Sequence, residues 1–353
     1  MNPKDVPFPT EDLLNNINIC GIDGSSQKIE RGSFYLLMAR AATVNFRYSK
    51  AGHKPYFSTK SKDLSGIEIV DGNIFNERVA LNGQRQTVGA DGSVSLFPVI
   101  QQNIAKPLLF SYNPERSNKN PKAQALGLVV KMQQTLELAC LEYVPLAPDQ
   151  DTVCIRDGPL FSTSVSPEDT FDGLKKTFAW NKQILISSSK RVSESTLLVQ
   201  VLLQSSTVRN HWFPSQNITD STLKSVATDM LLLPRILKPG QRTPLIAAVP
   251  RARKQVITLD QRLIPLVCYY YSRLEPHTFI RWEVPKFMWD RDKEAVEKAF
   301  RIAAWQHELG HNAPLIQMFA DQQSQIGAEK EILERETNAF LSKCELDLPE
   351  RYE

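Results

Sequence analysis

The 353-residue chain has no apolar run approaching the about 20 residues that a membrane-spanning helix needs. Its opening stretch, MNPKDVPFPTEDLLNN, lacks the basic-then-apolar pattern of a secretory signal. Together these absences lead us to expect a cytoplasmic protein. Cysteine is sparse as well: Cys20, Cys140, Cys154, Cys268 and Cys344 are scattered, and no two form a CxxC pair. Neither a disulfide framework nor a cysteine-based zinc cluster is indicated, and reduced, buried thiols are expected. Charge of one sign is also lacking. A net charge of +3 does not mark a nucleic-acid protein, because basic composition supports such binding only where it is clustered. One cluster exists, Arg251, Arg253 and Lys254 in PRARKQ, readable as a solvated loop or as a set of phosphate contacts. Internal repeats and low-complexity linkers are missing too, so one elaborated α/β domain over residues 1–353 is the simplest organisation.

Enough is present to build that domain, since 42% of the residues are hydrophobic. The stretch from Asn18 to Tyr48 reads as two strands, with the first apolar run ending at Asp23 and Gly24 as the turn residue. Residues 50–120 are polar and rich in Gly, Asn, Lys and Ser, the pattern of an irregular excursion with a few short strands. A helix is expected from about Ala123 to Tyr143, closed by Pro145 and Pro148. A short strand, Thr152 to Ile155, then leads to Arg156 and Asp157. A helix near Asp172 to Asn181, the strand QILISSSK and a helix from about Ser193 to Gln204 follow. CYYYSR and HTFIRWEVP read as paired strands. Two helices end the chain, one over Ala295–Leu309 with Gly310 as its cap and one from about Pro314 to Cys344.

Two acidic residues stand at the ends of apolar strands, each followed by glycine: Asp23 in IDGSS and Asp157 in RDGPL. Ligands collect at strand ends in α/β sheets, and carboxylates from two strands suit a hard divalent cation such as Mg²⁺ or Mn²⁺. Such an ion activates water and steadies charge at a phosphorus. Taken singly, each Asp-Gly is also an ordinary turn signal.

The order IDGSSQ, LELACLE, CIRDGPL, ISSSK, IRWEVP and PLIQMFADQQSQIGAEKEI resembles the NurA nucleases over about residues 18–340. The resemblance implies an RNase H-like mixed β-sheet flanked by helices, with the irregular insertion at about 50–120 and a helical C-terminal region. It implies a Mn²⁺- or Mg²⁺-dependent deoxyribonuclease, acting in end resection, repair or defence as a homodimer with a HerA-type hexameric ATPase. Residue by residue, it makes Asp23 and Asp157 metal ligands, with Glu137 or its competitor Glu142 as the helix carboxylate. Lys190 matches a lysine after the third strand, where it either neutralises a scissile phosphate or ends a strand. The family's Tyr-Pro and Ala-His fall on Ala313-Pro314 and Ala320-Asp321, so Asp321 stands where a histidine is common. A shifted register places His311 and Phe319 there instead. Arg281 and Glu283 in IRWEVP read as a structural pair.

Two other readings compete. His307-Glu308-Leu309-Gly310-His311 is a literal H-E-x-x-H, in which two histidines one helical turn apart hold zinc and the glutamate activates water. Glu334 or Glu336 would supply its third ligand. Against it, Gly310 breaks the helix before His311, and the motif explains none of the first 300 residues. A DNA-binding or helicase-docking subunit without catalysis is the third reading, opposed by three carboxylates that would repel one another without a cation.

Overall fold

The computed structural model describes residues 2–15, 17–31, 34–51, 54–71, 79–81, 84–85, 93–96, 108–111, 126–127, 129–130, 133–134, 137, 151–160, 183–189, 192–214, 218–225, 228–248, 251–252, 255–256, 264–311, 313–327, 330–332, 334–335 and 338–339. β1 (Ile17–Arg31), β2 (Phe34–Ala51) and β3 (Lys54–Asp71) form an antiparallel meander. β4 (Asp151–Asp157) lies parallel to β1, and β5 (Gln183–Ser189) parallel to β4. β6 (Pro265–Tyr271) and β7 (Phe279–Pro285) pair antiparallel, and β7 is antiparallel to β5. The order β6-β7-β5-β4-β1-β2-β3, with short strands at its margins, makes one mixed sheet. Its β3-β2-β1-β4-β5 block is the expected RNase H-like part.

Side chains alternate along a strand, so the sheet has two faces with different tenants. Ile280, Trp282 and Val284 of β7 join a core with Val296, Ala299, Phe300 and Ala303 of the long helix α2 (Lys293–Gly310). Phe279 of β7 and Val267 and Tyr269 of β6 instead join a second core with Leu198, Val199 and Leu202 of α1 (Leu197–Gln204). Trp282 stacks on Phe300 with centroids 5.5 Å apart, locking α2 to its face. The apolar face of α2 foreseen from residue spacing is fully buried, and its start is fixed by Asp292, whose side chain accepts from Ala295 N at 2.9 Å. Helix α3 (Leu315–Ser324) packs on the same face of the sheet, over β1 and β2.

Three expectations about local structure change. β1 passes straight through Asp23-Gly24 to Arg31, so Gly24 is no turn and Asp23 lies inside a strand. Glycine serves close approach there: a Cβ at position 24 would stand 2.7 Å from Oε1 of Glu137. Residues 54–71, expected in an irregular excursion, form β3 and pair along its whole length with β2. Composition hid this strand, because an antiparallel ladder draws on backbone groups that polar side chains do not disturb. The last helix is interrupted, since α3 ends at Ser324 and Gln325 turns extended at φ −59°, ψ 137°. There Ser25 Oγ donates to the Ser324 carbonyl and Arg40 Nη1 to the Gln325 carbonyl at 3.2 Å, fastening the helix end to the sheet. The helix expected over 123–143 is helical at its described positions from 126 to 137, while that near 172–181 lies outside the described residues.

Candidate active site

Ile22 and Arg156 are register partners on parallel β1 and β4, so the next residues, Asp23 and Asp157, stand side by side on one face. That face is the one covered by α3. A Cβ at Gly21 would lie 2.4 Å from the carbonyl oxygen of Ile316, and Ser25 bonds the end of α3; Asp23, between them in alternation, looks the same way. Asp321 is carried on α3 itself. The sheet and the helix thus bring Asp23, Asp157 and Asp321 toward one another.

Asp23 carries the electrostatic imprint of its carboxylate neighbours. Asp23 is buried, and its carboxyl is raised from 3.8 to about 8. Desolvation is the largest cause, followed by the charges of Asp157, Glu137 and Asp321 against a single opposing backbone bond, from Gly24 N at 2.7 Å. Among the described residues no three carboxylate, imidazole or thiol groups already stand in a ligating arrangement. The donor set nonetheless fits a hard divalent cation, since oxygen ligands that mutually disfavour ionisation are those a cation stabilises. Ser188 adds a second sign. It is the register partner of Asp157 on β5, fully buried, and its hydroxyl has no partner among the described residues. An unmet buried hydroxyl costs about 1–3 kcal/mol, so a water or ligand at this site would satisfy it.

Glu137 approaches from the opposite face. Gln133 and Glu137 pack over Gly24, and Gln133 also accepts from Ser26 Oγ at 2.8 Å and donates to the Gly24 carbonyl at 2.8 Å. The Glu137 carboxylate is engaged: Oε2 accepts from Arg156 Nε at 2.9 Å and lies 2.8 Å from Nη2, and Oε1 accepts from Gln133 at 2.9 Å. Its charge reaches Asp23, but its oxygens serve a buried ion pair, so the structure does not bring Glu137 into the carboxylate set as a ligand. Sequence reasoning passed over Arg156 and Ser188, although Arg156 is the R of RDG and Ser188 lies in ISSSK; nothing in a residue type reveals which face it will occupy. Arg281 and Glu283, 2.7 Å apart, form the structural pair foreseen. Lys190, Glu142, Arg253 and Lys254 lie outside the described residues, and Arg251 lies in a two-residue strand, Arg251–Ala252, paired with Gln255–Val256.

The H-E-x-x-H motif is taken apart by the fold. His307 is fully buried in α2 with its ring edge-on to Tyr270, and burial pushes it down from 6.5 to about 4. Glu308 accepts from Tyr270 OH at 2.8 Å, Ser272 Oγ at 2.9 Å, Arg273 N at 2.7 Å and Leu274 N at 3.0 Å, tying α2 to the β6–β7 connection. His311 has left the helix at φ 62° and pairs through Nδ1 with Glu275 at 2.9 Å. One histidine is thus inside the core and the other outside it, and the glutamate is saturated by donors, which is not the geometry of a zinc hydrolase. No described helix is long and apolar enough to cross a membrane.

The family model for the NurA domain matches residues 17–287. Two solved structures are similar in outline. One is the NurA nuclease from Sulfolobus solfataricus, at 12% identity and a TM-score of 0.45, covering 99% of this chain and 89% of that one. The other is a NurA crystal structure at 10% identity and a TM-score of 0.37, covering 80% and 79% respectively. No curated protein matches the sequence.

Proposed function

This chain belongs to the NurA family, and from that premise we propose that it is a metal-dependent nuclease that hydrolyses phosphodiester bonds in DNA. The observation that carries this reading is the convergence of Asp23, Asp157 and Asp321 on one face, with Asp23 raised to about 8 by burial and by its carboxylate neighbours. Asp23 and Asp157 would hold a Mn²⁺ or Mg²⁺ ion, with Asp321 supplying the third carboxylate from α3 in place of a histidine. When bound, such an ion activates water and screens charge on the phosphodiester. The chain's own contribution is to fix these oxygens. β1 and β4 set the two aspartates at one level, Gly21 lets α3 close down, and Ser188 offers a hydroxyl beside Asp157. Lys190, following β5, would meet a phosphate, and Arg251, Arg253 and Lys254 would add contacts to the DNA backbone. The reading extends to a cytoplasmic homodimer working with a HerA-type hexameric ATPase; its support there is the family relationship alone.

The test is cleavage of end-labelled linear DNA with Mn²⁺, Mg²⁺, Zn²⁺ or EDTA, using the protein beside Asp157→Asn and His307→Ala. Manganese-dependent degradation is expected, abolished by Asp157→Asn and retained by His307→Ala. Asp157→Asn should keep its DNA affinity, because affinity comes mostly from Lys and Arg contacts to phosphates. No cleavage with any metal, together with zinc that is lost in His307→Ala, would overturn the proposal.

A further inference from the structure

The residue adjacent to Asp157 in the chain points the other way. Arg156 is 3% exposed and lies on the face opposite the three aspartates, beneath the helical segment that carries Glu137. Across the sheet its row continues through Ser187 of β5 to Glu283 of β7, its successive register partners. The guanidinium is fastened at one end by Glu137, through Nε and Nη2. At the other end Nη1 lies 3.4 Å from the carbonyl oxygens of both Pro159 and Leu160, the residues that follow Asp157-Gly158. The same segment is held twice more. Leu160 N donates to Glu283 Oε2 at 2.9 Å, and Gly158 N donates to the Ser188 carbonyl at 3.0 Å. Gly158 itself sits at φ +81°, where residues with a side chain rarely go.

A planar, five-donor guanidinium suits this task, because it grips a carboxylate and two carbonyls at once in fixed relative directions. The chain leaves β4 at Asp157, and the strand end and the segment beyond it help to set where its carboxylate stands. Both are anchored from behind the sheet. We propose that Arg156 is a positioning residue of the nuclease site: fastened by Glu137, it holds the Gly158–Leu160 segment so that Asp157 is presented beside Asp23 for the cation. The arrangement is the back-face counterpart of the hydrogen bonds that orient metal ligands, whose loss typically weakens metal affinity or activity by about 10- to 100-fold.

This inference rests on the nuclease reading, and the experiment separates the two. Manganese affinity is measured on the full chain from the paramagnetic resonance signal of the free aquo ion, alongside DNA affinity, kcat and KM, for the native protein and Arg156→Lys. Lysine keeps the buried charge opposite Glu137 but cannot reach the carbonyls at the same time. Arg156→Lys is expected to weaken manganese by about tenfold or more, to lower kcat, and to leave KM and DNA affinity unchanged. A purely structural arginine would lower thermal stability without moving manganese affinity in the folded fraction. If the native protein binds manganese and cuts DNA while Arg156→Lys matches it in both, the positioning role is overturned and the nuclease stands. If the native protein neither binds manganese nor cuts, the nuclease reading falls and takes this inference with it. Should Arg156→Lys fail to fold, Gly158→Ala tests the same device without touching the buried charge. Among the described residues no atom obstructs a Cβ there, so the substitution acts through the disfavoured backbone conformation. It should weaken manganese in the same direction by several-fold, and an unchanged affinity would overturn the positioning role.

Discussion

Asp23 shows how one residue reports a whole site. Its folded-state carboxyl is raised from 3.8 to about 8, so the folded protein holds a proton there that the unfolded chain releases. Its contribution to stability is fully present below about pH 4 and is lost as pH rises through about 8. In EDTA, the melting temperature of the native protein should therefore fall across that window more steeply than that of Asp23→Asn, whose side chain does not ionise. Parallel slopes for the two proteins would show that Asp23 is not held among like charges. Glu137 teaches the complementary lesson. Its local context matched a helix ligand, yet its partner is Arg156, because alternation puts Arg156 and Gly24 on the face that the helical segment covers.

At the scale of elements, the site depends on how closely α3 approaches β1. The backbone of Ile316 occupies the space a Cβ would need at position 21, where it would lie 2.4 Å from the oxygen and 2.7 Å from the carbon of that carbonyl. Gly21→Ala must push the helix outward, since the obstruction is backbone and not the end of a flexible side chain. Overpacking of this kind costs about 1–3 kcal/mol, measurable as a lower urea midpoint, and displacing Asp321 should weaken manganese binding in the same variant. An unchanged midpoint would mean that α3 sits farther from the sheet than described. The neighbouring α2 explains why a metal motif in sequence need not be one in space. A histidine pair four residues apart shares a face only while the helix continues, and here it ends at Gly310. Glu308 is spent on a turn, where three of its four donors hold the β6–β7 connection to the helix and the fourth, Tyr270, comes from β6.

For the molecule as a whole, a cation that binds only the folded state should stabilise it by mass action. At a concentration 100 times its dissociation constant the gain is about 2.7 kcal/mol, so Mn²⁺ should raise the melting temperature at pH 8 relative to EDTA. The rise should vanish in Asp157→Asn; a rise that persisted in that variant would place the cation elsewhere. The sequence by itself determined the α/β class, the apolar stripe of α2 and the β6–β7 pair, and it singled out Asp23 and Asp157 as candidate ligands. Those features are written in local periodicity and in glycine neighbours, which survive without knowledge of the partners. The tertiary structure alone decided that residues 54–71 are a strand, that α3 stops at Ser324, and that H-E-x-x-H is split between core and surface. It also decided that Glu137 and Arg156 share the reverse face. Each of these turns on which backbone or face lies across the gap, and contacts between residues distant in the chain leave no periodic trace in it.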